Sequence, residues 1–218
     1  MQRHRRILMG VSLATVLLGG VLATYGLAQD LVKTQAEFAE SYKQEAAGNL
    51  IGAIKTTKVT LAREPAYYEA ALRLAYLYTI SAAYVDAEDA YRAASALRSE
   101  ALEPRLGLLG VLAMKAKWDA VITESETALR LDPQNAAVTG RVAFAKYMKG
   151  DYAGAEKSYK QLLGLFPADL ELKLGLAYTY LKAGNKKEAA TLFDDILTVS
   201  PGNPRGLAGW TQLRGSNK

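Results

Sequence analysis

The sequence predicts an all-α fold, a helical solenoid built from one regularly recurring unit. Pro133, Pro167 and Pro201 are evenly spaced, Pro65 lies two such steps before Pro133, and Ser99 stands at the skipped position. Within each repeat the apolar residues recur at steps of three and four, which is typical of helices. A unit of this length cannot bury its own apolar face, so neighbouring units have to stack and share a core.

The predicted array covers residues 34–203 and contains five helix-turn-helix units. These units cover residues 34–67, 68–101, 102–135, 136–169 and 170–203. Each is expected to hold two short amphipathic helices. All six prolines fall at predicted helix ends or first turns, where a missing N–H does little harm.

Two positions of the repeat predict how the helices of a unit meet. Small residues recur twelve positions before the proline and indicate close packing: Ala53, Ala87, Ala155 and Ala189, with Val121 as the bulkier exception. A second set, seventeen positions before the proline, indicates the turn between the helices: Gly48, Ala82, Ala116, Gly150 and Gly184. The glycines of this set suit the left-handed conformation that ends a helix.

This pattern resembles the tetratricopeptide repeat, a helix-turn-helix of about 34 residues with recurring aromatic, Leu-Gly, Ala and Pro positions. The resemblance covers the five units and is clearest in the last two, as in Gly150-Asp151-Tyr152 with Ala155 and Pro167. It implies a right-handed α-solenoid whose first helices line a concave surface.

The two ends of the array are predicted to differ from its middle. The first unit departs most from the family pattern, with Glu40, Ser41 and Gln44 where apolar residues are expected, and this polarity suits a terminal cap. Residues 204–214 carry an apolar stripe that includes Leu207 and Trp210 and predicts a capping helix. Residues 215–218 are expected to form a flexible tail.

Residues 1–28 have the composition of an export signal. The first six residues carry a net positive charge from three arginines, and residues 7–27 contain no ionisable side chain except Tyr25. Gly26-Leu27-Ala28 has small residues where a signal peptidase cleaves. We expect cleavage and a periplasmic or secreted location for the repeats. The uncharged run is also long enough to cross a bilayer, so an uncleaved inner-membrane anchor with the repeats outside the cytoplasm is the alternative.

The composition argues against catalysis, cofactors, metal sites and nucleic-acid binding. Cysteine is absent and the one histidine is His4, so residues 29–218 lack thiol and imidazole chemistry. The same residues carry 24 basic side chains (27 in the whole chain less Arg3, Arg5 and Arg6) against 22 acidic ones, without a basic run. Two acidic groups are interpreted as solvated helix faces: Asp86, Glu88 and Asp89, and Asp194 with Asp195.

The family resemblance implies a concave groove that is apolar and lined with aromatic residues. The predicted protein-binding residues are Phe38, Tyr42, Leu72, Tyr76, Ile80, Gly110, Met114, Gly140, Phe144, Tyr147, Met148, Tyr178 and Leu181. Gly110 and Gly140, together with Ala113 and Ala137, either let helices approach closely or form a notch for a bulky side chain of the partner. Contiguous exposed apolar residues of this kind mark interaction surfaces.

A known subset of the family binds acidic C-terminal peptides through a clamp of Lys, Arg and Asn side chains, and this groove differs from it. Only Arg73 and Arg141 are close enough to orient a carboxylate, so we expect recognition by apolar burial. The sequence therefore predicts a non-enzymatic scaffold or adaptor of the cell envelope that binds a protein or peptide. The alternatives are a periplasmic, chaperone-like holder of exported or pilus subunits and, less favoured, an enzyme or enzyme accessory subunit.

Overall fold

The computed structural model describes residues 29–215, and in this part of the chain all regular secondary structure is helical. The predicted all-α class is confirmed. The described part of helix α1 covers residues 29–46. The helices that follow are α2 (Leu50–Arg63), α3 (Tyr68–Ile80), α4 (Tyr84–Leu97), α5 (Glu103–Met114), α6 (Trp118–Leu131), α7 (Ala136–Lys149), α8 (Tyr152–Leu165), α9 (Leu170–Ala183), α10 (Lys186–Val199) and α11 (Pro204–Gly215).

The expected export signal, residues 1–28, lies outside the described residues, as do residues 216–218 of the expected tail. Within the described range, no helix has both the length and the apolar character needed to span a bilayer. Helix α11 extends to Gly215, one residue past the predicted end of the capping helix.

Side-chain caps explain why several helices begin where they do. Asn49 and Asp151 accept hydrogen bonds from backbone N–H groups three residues later, at 2.9 Å in both cases. Asn135 does the same for α7, and Asp169 accepts from two N–H groups at the start of α9. These bonds satisfy donors that a helix N-terminus otherwise leaves unpaired.

The turn inside each repeat has one backbone conformation, whatever residue occupies it. Gly48, Gly150 and Gly184 have φ of 76°, 82° and 86°, as expected for glycine in the left-handed region. Ala82 and Ala116 adopt the same region with φ of 59° and 52°, although a Cβ atom makes that conformation costly. The repeat therefore imposes the turn even where the sequence lacks glycine.

The residue before each repeat proline has the same geometry along the chain. Arg98, which precedes Ser99, has φ −137° and ψ 88°. The residues that precede the four prolines have almost the same angles, with φ between −129° and −138° and ψ between 67° and 90°: Glu64, Asp132, Phe166 and Ser200. The backbone at Ser99 is thus already compatible with proline.

The chain contains two compact units, Met1–Ala82 and Ala83–Lys218, and each is described by itself. In the first unit α2 packs against α3, and Ala53, Ala70, Ala75 and Leu77 are fully buried. In the second unit α4 to α11 pack mainly against their neighbours in chain order. The small residues predicted to mark close packing, including Val121, are all buried.

Within the second unit, an aromatic ring lies over a glycine of the next repeat at three equivalent positions. Tyr159 of α8 covers Gly175 of α9, and a Cβ atom built on that glycine would overlap the ring. The other two pairs are Tyr91 with Gly107 and Phe193 with Gly209. At the position where the ring is replaced by Ser125, the repeat has Arg141 in place of the glycine.

One acidic residue that the sequence analysis interpreted as solvated is buried. Glu88 is only 9% exposed, and its carboxylate accepts hydrogen bonds from Lys115 at 2.6 Å and from Lys117 at 2.9 Å. These two hydrogen bonds lower the pKa of Glu88 to about 2. The prediction was wrong for Glu88 because the lysines come from a turn 27 and 29 residues away and neutralise it. Asp86 and Asp89 are exposed, as expected.

Candidate protein-binding site

All thirteen predicted binding residues are at least partly exposed, and they divide between the two units. The first unit contains Phe38, Tyr42, Leu72, Tyr76 and Ile80, and the second contains the other eight. The most exposed of the set in each unit are Tyr42 at 51% and Met114 at 60%. Apolar side chains of this size are usually covered in a folded protein, so both units present candidate contact surfaces.

The first unit has an open concavity of about 510 Å³ between α1 and α3, which we call the first concavity. Its lining residues are Tyr42, Glu45, Glu69, Leu72, Arg73 and Tyr76. Three of these were predicted to contact a partner. Glu45 and Glu69 were not in the predicted binding set, which contained only apolar, aromatic and glycine residues.

Arg73 is engaged inside the first unit. Its side chain is 4% exposed, its guanidinium lies 3.3 Å from the ring centroid of Tyr42, and it donates a hydrogen bond to Glu45 Oε2 at 3.0 Å. It also donates from Nε to Ser41 Oγ, and Tyr76 donates to Glu45 Oε1 at 3.1 Å. Glu45 therefore occupies the place beside the Arg73 guanidinium where the sequence analysis expected a carboxylate of the partner.

The second unit has a concavity of about 380 Å³ at the position of the expected notch, and we keep that name for it. The notch is lined by Ala113, Trp118, Val121, Ala137, Gly140, Arg141 and Phe144. The rings of Trp118 and Phe144 meet edge to face at 5.6 Å. Arg141 is exposed and has no ion-pair partner among residues 29–215, and its guanidinium is the nearest side-chain group to Gly110.

A second concavity of the same unit, the aromatic pocket, has a volume of about 340 Å³. It is lined by Phe144, Tyr147, Tyr159, Glu171, Leu174, Gly175, Tyr178 and Arg205. Leu174 and Tyr159 are buried, while Phe144, Tyr147 and Tyr178 remain accessible. Phe144 lines both the notch and the aromatic pocket, so one ring separates the two.

The mouth of the aromatic pocket carries an ion pair between Glu171 and Arg205. Arg205 belongs to the first turn of α11, and its backbone carbonyl accepts a hydrogen bond from the Tyr178 hydroxyl at 2.8 Å. Burial raises the pKa of Tyr159 to about 12, and it also raises the pKa of Tyr147 and Tyr178 above the ordinary value of a tyrosine. Among residues 29–215, no cluster of His, Cys, Asp or Glu is arranged to hold a metal ion.

Comparison with known proteins agrees with this architecture. A tetratricopeptide repeat family model matches residues 146–209, which include most of the aromatic pocket. This part of the chain is therefore similar to the tetratricopeptide repeat family. No curated protein matches the chain at a significant level.

Solved structures, among them tetratricopeptide repeat proteins, share the fold at low sequence identity. A repeat protein from Parabacteroides merdae superposes with a TM-score of 0.77 at 17% identity, covering 83% of this chain and 72% of its own. The MamA protein gives 0.70 at 21% identity, covering 76% and 90%. YrrB, described as having an unusual peptide-binding site, gives 0.71 at 14% identity, covering 80% and 90%. Identities this low establish the fold alone.

Sequence reasoning missed several residues that line these concavities. Glu171 belongs to the first helix of the fifth unit and was overlooked because only apolar, aromatic and glycine residues of that face were selected. Arg205 was overlooked because it belongs to the predicted cap. Their separation of 34 residues was the available signal, since side chains one repeat apart occupy equivalent positions on adjacent first helices. Trp118 and Tyr159 belong to the second helices of their repeats, α6 and α8, and line the concavities together with residues of the first helices.

Proposed function

We propose that this protein is a non-enzymatic scaffold that binds a helix or extended segment of a protein partner on its first helices. The observation that carries the proposal is the pair of adjoining concavities in the second unit. The notch and the aromatic pocket lie on either side of Phe144, and each has room for one side chain. A partner segment therefore has space for one side chain on each side of this ring.

The chemistry of the two concavities supports recognition by burial. Aromatic side chains provide a large contact area for few rotatable bonds, and binding energy usually concentrates in a few such residues. Tyr147 is supported from behind by Tyr152, with ring centroids 6.0 Å apart, and stacks beside Phe144 at 6.3 Å. Rings that are held in this way need little ordering when the partner binds. The peptide-binding site described for YrrB indicates that this fold can hold a peptide.

Binding can be tested by crosslinking from within the site. A photoreactive amino acid at Met148, an exposed residue that follows Tyr147 in the chain, should capture the partner in the native cell envelope. The double variant Tyr76→Ala/Tyr147→Ala should weaken this capture at least tenfold, because the loss of about 1.4 kcal/mol is enough for that factor. Asp194→Lys, on an exposed position of α10, is the control and should bind normally.

Circular dichroism should show that the double variant remains helical. Capture that survives in Tyr76→Ala/Tyr147→Ala but disappears in Asp194→Lys would place the binding surface elsewhere and would end the proposal.

We also propose that the scaffold acts in the cell envelope, and the basic, then uncharged, composition of residues 1–28 supports this location. Mass spectrometry of the protein from its native host should find a chain that begins near Gln29. An intact Met1 in the membrane fraction would establish the anchored alternative. A soluble cytoplasmic pool would remove both.

Exposed methionines favour a second candidate, the chaperone-like holder. Met114 and Met148 are 60% and 46% exposed, and flexible thioether side chains suit surfaces that accept many partners. A panel of unrelated apolar peptides distinguishes the two functions. Similar affinity for most of the panel would favour the holder, whereas tight binding of one sequence would favour the scaffold.

A further inference from the structure

We propose that the aromatic pocket of the second unit recognises an arginine side chain of the partner, and that Arg205 occupies this site in the free protein. The inference rests on the proposed function and specifies the chemistry of the partner at one of its two concavities.

The lining of the pocket suits a guanidinium group. The faces of Phe144, Tyr147 and Tyr178 carry negative electrostatic potential that attracts a cation. Glu171 adds a carboxylate whose side chain is 69% exposed and can accept two parallel hydrogen bonds from arginine. The buried Leu174 gives the methylene stem of the same side chain an apolar surface.

The chain itself already places a guanidinium there. Arg205 pairs with Glu171 at the mouth of the pocket, yet its side chain is 56% exposed. Its backbone is held by the hydrogen bond from Tyr178, so the side chain can swing outward while α11 stays in place. Exposed ion pairs contribute little to stability, and a partner's arginine can therefore replace Arg205 on Glu171 at small cost.

The first unit also contains an arginine beside an aromatic ring and a glutamate, but there the arginine is buried. Arg73 lies over the Tyr42 ring and pairs with Glu45, but its side chain is only 4% exposed and also bonds Ser41. In the second unit Arg205 likewise pairs with a glutamate and lines a pocket that contains aromatic rings. Only in the second unit is the arginine exposed enough to exchange.

An acidic side chain fits the pocket less well. The carboxylate of the partner would have to replace Glu171 as the ion-pair partner of Arg205. It would then lie against aromatic faces whose negative potential repels it. Arginine is favoured over lysine because its planar group can stack on a ring and bind a carboxylate through two N–H groups at once.

A pair of peptides that differ only in charge tests the inference. We would titrate the full-length chain with Ac-Leu-Arg-Leu-NH₂ and with the same peptide carrying citrulline, which has the shape of arginine without its charge. The arginine peptide should bind about five- to tenfold more tightly. Arg205→Gln should raise its affinity about two- to fivefold and leave the citrulline peptide unchanged. Glu171→Gln should remove most of the difference between the peptides and leave the part that the aromatic faces supply, whereas Glu188→Gln, on an exposed position of α10, should preserve the whole difference.

The possible failures are distinguishable. Equal affinity of the two peptides, a loss of affinity in Arg205→Gln, or no binding of the arginine peptide at millimolar concentration would each overturn the arginine site. If both peptides bind equally and Tyr147→Ala weakens both, the scaffold proposal stands while the arginine site falls. Tighter binding of an Ac-Leu-Glu-Leu-NH₂ peptide would overturn it in favour of an acidic partner.

Discussion

Replacing Gly175 with alanine should destabilise the protein, although alanine is normally the better residue inside a helix. Gly175 lies in α9 directly beneath the ring of Tyr159, and a Cβ atom built on it would lie 2.8 Å from the Tyr159 hydroxyl oxygen and nearer still to two ring carbons. Tyr159 is 6% exposed and packs in the core of the second unit, so its ring has little space into which to move.

The net effect follows from two opposing contributions. Overpacking of a dense core costs about 1–3 kcal/mol, and the change from glycine to alanine in a helix recovers about 1 kcal/mol. Because the ring cannot move away, the cost lies in the upper part of its range, and the free energy of unfolding should fall by about 1–2 kcal/mol. For a chain of this size the melting temperature should fall by about 2–8 °C.

The matched control is Gly164→Ala in α8. Gly164 is exposed, and a Cβ atom there would have no neighbour within 4 Å. This variant has only the gain in helix propensity and should be stabilised by about 0.5–1 kcal/mol. Thermal and urea unfolding, followed by circular dichroism, would give both values.

A double-mutant cycle with Tyr159→Leu isolates the contact itself. If the ring causes the clash, Gly175→Ala should cost about 1 kcal/mol less in the Tyr159→Leu background than in the natural sequence. The reasoning would be refuted if Gly175→Ala stabilised the protein as Gly164→Ala does, or if the two substitutions were additive.

Three further predictions concern the repeat and the buried carboxylate of Glu88. Ser99→Pro should raise the free energy of unfolding by about 0.4–1 kcal/mol in urea titrations, because Arg98 already has the backbone angles of the residues before the natural prolines; clear destabilisation would contradict the assigned frame. Ala116→Gly should stabilise the left-handed turn by about 0.5–1 kcal/mol, and Gly150→Ala should destabilise it by a similar amount. If thermal melts showed that both substitutions change the stability in the same direction, the cost assigned to a Cβ atom in this turn would be wrong. The folded-state pKa of Glu88 lies below its usual value, so its ion cluster contributes stability above about pH 4.5 and loses it as the pH falls towards about 2. Glu88→Gln should remove this part of the acid sensitivity, on the order of 2 kcal/mol, and an unchanged stability profile between those pH values would contradict the assignment.

Local signals in the sequence were sufficient for the fold and for the faces of the helices. The second helices begin at equivalent positions of successive repeats, two residues beyond the turn that the glycines predicted: Leu50, Tyr84, Trp118, Tyr152 and Lys186. Period, proline position and turn chemistry are properties of residues close together in the chain. The exposure of the aromatic residues on the first helices was expected from the family resemblance, and their role in binding stays a prediction.

The detailed lining of the site depended on residues a full repeat apart. Arg73 and Arg141 occupy the same position of the repeat, yet Arg73 is buried between Tyr42 and Glu45 while Arg141 is exposed beside the notch. Their immediate sequence surroundings do not separate these outcomes, because the decisive partners come from other helices.

The sequence by itself therefore determined the repeat, the helices and the surface that they present, because each depends on short-range preferences that recur in every unit. Tertiary structure alone decided which charges are paired and which are available. Lys115 and Lys117 neutralise Glu88, and Arg205 reaches Glu171 across one repeat. Whether a long charged side chain forms an ion pair depends on which groups of the neighbouring helix lie within about 4 Å of it. The period of the repeat does not specify those groups.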